Sequence, residues 1–204
     1  MASADAHSLI AQLRRTISDQ RVLQALAAVP RERFVPAELH EHAYENVALP
    51  IGHEQTISQP LVVARMLELL DVRPTDRILD VGTGSGYHAA LLATLGEHVW
   101  TIERNPALSE QAAATLRELR IANVTCAVGD GTAGLEDEAP FDAINVAAGA
   151  RSVPVALELQ LAAGGRLVLP IGDTEQHLVR VGRTPLGWTR ERHEAVRFVP
   201  LISG

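Results

Sequence analysis

The chain contains no lysine: all 18 of its basic residues are arginine. That absence excludes Schiff-base chemistry, pyridoxal phosphate anchoring and the phosphate-binding lysine of a P-loop. A single cysteine, Cys126, excludes any internal disulfide and gives no sign of an oxidising compartment. No apolar run approaches the roughly 20 residues of a membrane span, and Met1 to Ser8 lack the cationic and apolar stretches of a secretory signal. A formal net charge of −7 with no basic block argues against nucleic acid as a partner. The expectation is a cytoplasmic protein with neither nucleic acid nor membrane among its partners, and a monomer.

What remains is an ordinary globular composition in 204 residues, enough for one domain with a single large core. Leu9, Leu13 and Ile17, then Val22, Leu26 and Val29, predict two short helices that Pro30 ends. From 31 to 59 periodicity disappears, predicting a long loop, and loops of that length inside a compact domain are more often functional than idle. Pro60 opens a helix marked by Val63, Met66, Leu67 and Leu70. Strands over 77–81, 98–102, 124–128 and 141–146 then alternate with helices over 87–95 and from Asn105-Pro106 to Leu119. A helix over 154–161 and the turn Gly164-Gly165 lead into a strand over 166–171. A final hairpin is expected from strands over 176–182 and 188–199 around Pro185-Leu186-Gly187. This pattern predicts an α/β fold: a Rossmann-like, doubly wound, mostly parallel seven-stranded sheet with an antiparallel C-terminal hairpin and an N-terminal helical extension. Residues 1–59 supply the helices and loop, and 60–204 the sheet core of the same single domain.

Asp80-Val81-Gly82-Thr83-Gly84-Ser85-Gly86 lies between the first core strand and its helix. Glycines there permit a tight turn, and the helix N-terminus offers unpaired N–H groups to an anion. A dinucleotide loop needs a third small residue at the sixth position, where this chain has the bulky Tyr87. Acids at three successive strand ends, Asp80, Glu103 and Asp130, suit the cationic sulfonium of S-adenosylmethionine better than an anionic pyrophosphate. Such turns also close α/β units that bind nothing, and strand-end acids also cap helices.

The segment Leu49-Pro50-Ile51-Gly52-His53-Glu54-Gln55-Thr56-Ile57-Ser58-Gln59-Pro60, preceded by Arg31-Glu32-Arg33-Phe34-Val35-Pro36, closely resembles the protein L-isoaspartyl (D-aspartyl) O-methyltransferases. The likeness continues through the glycine loop, Ile102-Glu103-Arg104, Gly129-Asp130-Gly131, 164–170 and Phe198-Val199-Pro200-Leu201. The resemblance implies methyl transfer from S-adenosylmethionine to the α-carboxylate of isoaspartyl residues in flexible segments of damaged protein, the ester then closing to a succinimide. It also implies Ser58 as the active-site residue. Cofactor contacts would come from Thr56, Ile57, Gln59, Asp80, Gly82, Thr83, Gly84, Ser85, Gly86, Glu103, Arg104, Asp130, Gly131 and Gln176. Substrate contacts would come from Pro50, Ile51, Val199 and Pro200, with no metal. Two positions depart from the family: it usually has glycine where Glu54 stands and an acid where Asn46 stands.

A carboxylate acceptor with a pKa of roughly 4 is already nucleophilic at neutral pH, so the chemistry asks for alignment and not for a general base. This fits a chain without a His–Asp or Cys–His constellation. Read from the residues alone, Ser58 is more readily an N-cap for the helix at Pro60 than an active-site residue. Two other functions stay open: imide formation at an ordinary aspartate of one dedicated peptide, and a non-catalytic S-adenosylmethionine-binding regulator. His40, His42 and His53 beside Glu41 and Glu54 read as solvated loop residues, Cys126 as buried, and Glu136-Asp137-Glu138 as an exposed acidic turn.

Overall fold

The computed structural model describes residues 4–203. Apolar residues at alternate positions of the core strands face two separate hydrophobic clusters, one on each side of a seven-stranded sheet. Ile78, Val99, Ala143 and Val168 face the first cluster, and Leu79, Trp100, Ile144 and Leu167 face the second. The strands are β3 (Arg77–Val81), β4 (His98–Glu103), β5 (Val124–Val128), β6 (Phe141–Val146), β7 (Leu161–Ile171), β8 (Gln176–Thr184) and β9 (Gly187–Val196), in the order β5-β4-β3-β6-β7-β8-β9. The first five are mutually parallel and the last two pair antiparallel, completing the expected hairpin. The chain reverses direction across the sheet between β3 and its neighbours β4 and β6, and the carboxyl ends there form the crevice where such folds bind ligands.

The two faces are covered unequally. Helices α1 (Ala4–Leu13), α2 (Gln20–Ala28), α3 (Pro60–Leu70), α4 (Tyr87–Leu95) and α5 (Pro106–Glu118) all contribute to the first cluster. The second is closed by the short α6 (Val155–Leu159), through Leu157, and by loops. Glu68 on α3 ties the N-terminal helices down by accepting bonds from the Ser18 N–H and hydroxyl and the Asp19 N–H. Among the described residues no helix is long and apolar enough to cross a membrane.

Several expected boundaries change. The stretch 31–59 is not a featureless loop: it holds 3-10 turns at Arg31–Phe34 and Ala37–His42 and a two-stranded hairpin, β1 (Leu49–Gly52) with β2 (Gln55–Ile57). Gly164-Gly165 does turn the chain, as a bulge within β7: Gly164 has φ of +77° and the pairing jumps from Phe141–Leu161 to Ala143–Arg166, while the strand's bounds reach back to Leu161 because the Phe141 N–H bonds the Gln160 carbonyl. The preceding helix therefore ends at Leu159. The last strand stops at Val196, short of 199. Cys126 is half-buried in β5, the edge strand.

Candidate active site

At the carboxyl ends of β3 and β4 lies a cavity of 440 Å³, lined on one side by the glycine loop and Glu103 and on another by Gln55 to Ser58 and 199–202. Its shape begins with backbone conformation. Gly84 and Gly86 have φ of +52° and +89°, a region that side-chain-bearing residues seldom occupy. Gly86 caps α4 and sits so close to α5 that an added Cβ would lie 3.1 Å from Ala112 Cβ. The loop is tied to the sheet by the Gly82 N–H donating to the Ile102 carbonyl at 2.9 Å.

Glu103 ends β4, is almost fully buried and lines the cavity. One carboxylate oxygen accepts the Gly84 N–H and the other the Asn105 N–H, both at 3.0 Å. A carboxylate has about four acceptor sites, so capacity is left for hydroxyl donors of a ligand. Asp80 does something different: it faces the protein and not the cavity. Its carboxylate accepts from the Thr101 hydroxyl at 2.9 Å and the Asn145 amide at 2.8 Å, while Thr83 and Thr101 share a 2.7 Å bond. Burial pushes the Asp80 carboxyl up to about 6 despite those two donors.

The other side is built from the 31–59 strap. Ser58 lines the cavity, half-buried, and is not a cap: the N-cap of α3 is Gln59, with no side-chain bond. The Leu61 N–H at that helix start is taken by Asn46 Oδ1 at 3.0 Å instead. The acid that the resemblance leads one to expect at position 46 would serve equally, since either side chain satisfies a helix N-terminus. The β1–β2 turn has His53 and Glu54 as its two central residues, with φ of +50° and +58°. Glycine suits that conformation, so Glu54 is a departure in backbone cost before it is one in charge.

Of the residues expected at the site, the structure brings Thr56, Ile57, Ser58, Gly82, Thr83, Gly84, Ser85, Glu103, Arg104, Gly131, Val199 and Pro200 to this one cavity. It does not bring Asp80, Gly86, Gln59, Asp130, Gln176, Pro50 or Ile51 to its lining, for identifiable reasons. Asp130 bonds the Thr132 N–H and hydroxyl. Gln176 clamps the main chain of Phe198, accepting its N–H at 2.7 Å and donating to its carbonyl at 3.3 Å, and so positions the segment that does line the cavity. Pro50 points outward on β1, and Ile51 is buried, its Cδ1 nearest the space beside Gly84. Sequence reasoning missed Gln55, Val63, Val81, Tyr87, His88, Ile102, Asn105, Ala147, Ala148, Leu201 and Ile202 in the lining. Tyr87 and His88 directly follow the glycine loop, and their position at the start of α4 was the signal for them.

His42 pairs with Glu45 at 2.7 Å and not with the other loop histidines. Among the described residues no group of three or more His, Cys, Asp or Glu side chains is placed to hold a metal ion.

Comparisons with known proteins agree over nearly the whole chain. The family profile Protein-L-isoaspartate(D-aspartate) O-methyltransferase (PCMT) matches residues 4–204. The Protein-L-isoaspartate O-methyltransferase of Roseiflexus castenholzii is 55% identical over 193 residues, 94% of this chain and 88% of that protein. A solved Plasmodium falciparum structure described as belonging to the same enzymes, in complex with S-adenosyl-L-homocysteine, superposes with a TM-score of 0.87 at 28% identity, covering 99% of this chain and 100% of that one. Another solved protein-L-isoaspartate O-methyltransferase gives a TM-score of 0.86 at 27% identity over 96% of this chain, which spans only 65% of that longer one.

Proposed function

The chain belongs to the protein-L-isoaspartate(D-aspartate) O-methyltransferase family, and from that premise we propose which of its residues carry the reaction. It is an S-adenosylmethionine-dependent enzyme that methylates isoaspartyl residues in damaged proteins. The observation that carries the assignment of roles is the shared cavity: the glycine loop and Glu103 line the same space as Thr56, Ile57 and Ser58.

The cofactor's fit is tested by that lining. Glu103 retains acceptor capacity for ribose hydroxyls, and the N-terminus of α4, whose N-cap Gly86 has no side chain and whose Tyr87 N–H makes only a long 3.4 Å bond to the Ser85 hydroxyl, offers N–H groups to the methionine carboxylate. When bound, the cofactor supplies an activated methyl group. The remaining work falls to the chain. The acceptor carboxylate is ionised at neutral pH and needs no base, so its oxygen must be held roughly 3–3.5 Å from the methyl carbon, in line with the sulfur. Ser58 donates a hydrogen bond that orients the carboxylate, and Val199 and Pro200, held by the Gln176 clamp, close the cavity beside it.

The test is methyl transfer from labelled cofactor to an isoaspartyl peptide and to its aspartyl twin. Label on the isoaspartyl peptide alone is expected; label on the aspartyl twin alone would replace repair by dedicated imide formation, and label on neither would leave a binding protein. Ser58→Ala should lower kcat by roughly ten- to a hundred-fold while the affinity for S-adenosylhomocysteine holds. An unchanged kcat overturns the role of Ser58.

A further inference from the structure

Among the described residues two arginines are buried, and they are satisfied in different ways. Arg166 has an ion pair with Asp76 and donates to the carbonyls of Leu70, Asp71 and Asp142. Arg31, with no accessible surface, has no carboxylate partner. Its Nε donates to the Ala43 carbonyl at 2.8 Å and one Nη to the Ser58 carbonyl at 2.9 Å, and its guanidinium carbon lies 5.0 Å from the centre of the Tyr87 ring. The adjacent acid, Glu32, bonds the Tyr44 hydroxyl instead. The other Nη of Arg31 makes no well-formed hydrogen bond, and only the Tyr87 side chain engages the guanidinium besides the carbonyls of Ala43 and Ser58.

A buried guanidinium without a counter-ion is costly to keep, so the neighbours of this one are informative. Tyr87, beneath it, and Ser58, which it grips by the backbone, both line the cavity. So does His88, whose Nε2 is the second buried polar atom in this corner without a well-formed hydrogen bond. Burial, reinforced by the Arg31 charge, pushes His88 down to about 4, so it adds no second cation. The corner therefore combines an uncompensated positive charge, two polar atoms without well-formed hydrogen bonds and the backbone of the residue that faces the acceptor. An anionic ligand in the cavity supplies the missing counter-charge.

We propose that Arg31 is a positioning residue for the acceptor: it fixes the Ser58 backbone and, having no internal counter-ion, supplies the positive potential that holds an isoaspartyl α-carboxylate on the Ser58 side of the cavity. The inference rests on the reading of Ser58 given above. It assigns the preference for an ionised acceptor to a residue that touches neither substrate nor cofactor, acting through Ser58 and through its field. The potential is weakly screened because Arg31 is fully buried and packs directly on the lining residues Tyr87 and Ser58.

Two variants separate charge from scaffold. Arg31→Gln keeps an amide donor and removes the charge; Arg31→Lys keeps the charge and loses the planar fork. With an isoaspartyl peptide, Arg31→Gln should raise KM roughly ten-fold or more, while the calorimetric Kd for S-adenosylhomocysteine stays within about two-fold. Arg31→Lys should hold KM near the wild-type value and lower kcat, because Ser58 is gripped less rigidly. An unchanged KM in Arg31→Gln overturns the proposal, as does a parallel loss of cofactor affinity, which is what a merely structural role produces. If Arg31→Gln fails to fold, Arg31→Lys decides: a KM near wild type supports the charge, and a ten-fold rise refutes it. Ser58→Ala in the same series keeps the two readings apart. Should it turn over like the wild type, the role of Ser58 fails, while the field of Arg31 is still judged by peptide KM.

Discussion

The two sides of the cavity are held by opposite means. On the sheet side the glycine loop, β3 and β4 are fixed by main-chain bonds and by acids enclosed among donors: Glu103 under Gly84 and Asn105, and Asp80 between Thr101 and Asn145. On the strap side, 31–59 has only short 3-10 turns and a small hairpin, and a few side chains bind its backbone across long sequence separations. Arg31 reaches Ala43 and Ser58, and Asn46 reaches Leu61. A continuous backbone ladder spreads its load over many groups, whereas a strap pinned at two or three points concentrates it. Substitutions in the sheet side should therefore act mainly on stability, and those in the strap mainly on acceptor handling.

The largest effect expected on the sheet side is at Gly86. Alanine there must hold φ near +89° and place its Cβ 3.1 Å from Ala112 Cβ. Strain and overpacking together cost about 3 kcal/mol, which for a chain of this size lowers Tm by roughly 6–12 °C. Thermal unfolding checks it. A Tm within about 2 °C of wild type would mean the loop is as loosely held as the strap, and the contrast between the two sides would fall.

Acidity gives the next test, because each side buries one titrating group with the opposite sign. Asp80, on the sheet side, is raised from 3.8 to about 6 by burial. Its contribution to stability is fully present below pH 3.8 and lost as pH rises to about 6, because the folded state holds the proton that the unfolded state releases. His88, against the strap, is lowered from 6.5 to about 4. Its contribution is present above pH 6.5 and lost as pH falls to about 4, because the unfolded state then binds the extra proton. Each amounts to something on the order of 2–3 kcal/mol, and in the wild type they oppose one another over nearly the same range. His88→Leu removes one of them. Relative to wild type, its stability should be highest near pH 4 and decline towards 6.5, read as the difference between two Tm profiles. Parallel profiles would show that His88 is not held neutral in the folded protein.

The same contrast explains what was legible in the sequence. Backbone-determined features leave characteristic residues behind: glycines where φ is positive, acids at strand ends, and alternating apolar positions on β3, β4 and β6, so the sheet and most of its cavity lining could be read. Arg31 left no local trace, because its partners are carbonyls 12 and 27 residues away, and a carbonyl has no sequence signature. The β1–β2 hairpin was hidden by Pro50 in one strand and by a His-Glu turn where Asn-Gly would have announced it. Asp80 and Gln176 were singled out as cofactor contacts from their positions in the chain, but which way a side chain faces depends on packing. Asp80 turned inward to Thr101 and Asn145, and Gln176 turned to the backbone of Phe198.

Asn46 tests one pin of the strap at smaller amplitude. Asn46→Ala removes the acceptor for the Leu61 N–H and should cost about 1 kcal/mol in denaturant unfolding, with peptide KM rising as the strap loosens. Asn46→Asp retains the bond, and its charge at the N-terminus of α3 should add about 0.3–1 kcal/mol. A loss in Asn46→Asp as large as that in the alanine variant would mean the bond at 3.0 Å is not what pins the strap.

Glu54 carries the smallest expected effect and separates backbone from charge most cleanly. It is an exposed residue at φ +58° beside Gln55, which lines the cavity. Glu54→Gly relieves the turn and should stabilise the protein by about 0.5–1 kcal/mol. Glu54→Gln leaves the strain in place and removes only the charge. If the charge reaches the acceptor entrance, both variants lower KM for isoaspartyl peptides with acidic flanking residues by about two-fold at low salt, and the gain disappears at high salt. With neutral flanks neither variant should change KM. If only Glu54→Gly changes KM, whatever the flanks, the effect runs through the conformation of the hairpin and not through its field. The strap would then respond to backbone strain as the sheet side does, and the division between a side built on main chain and a side pinned by side chains would stop at Ser58.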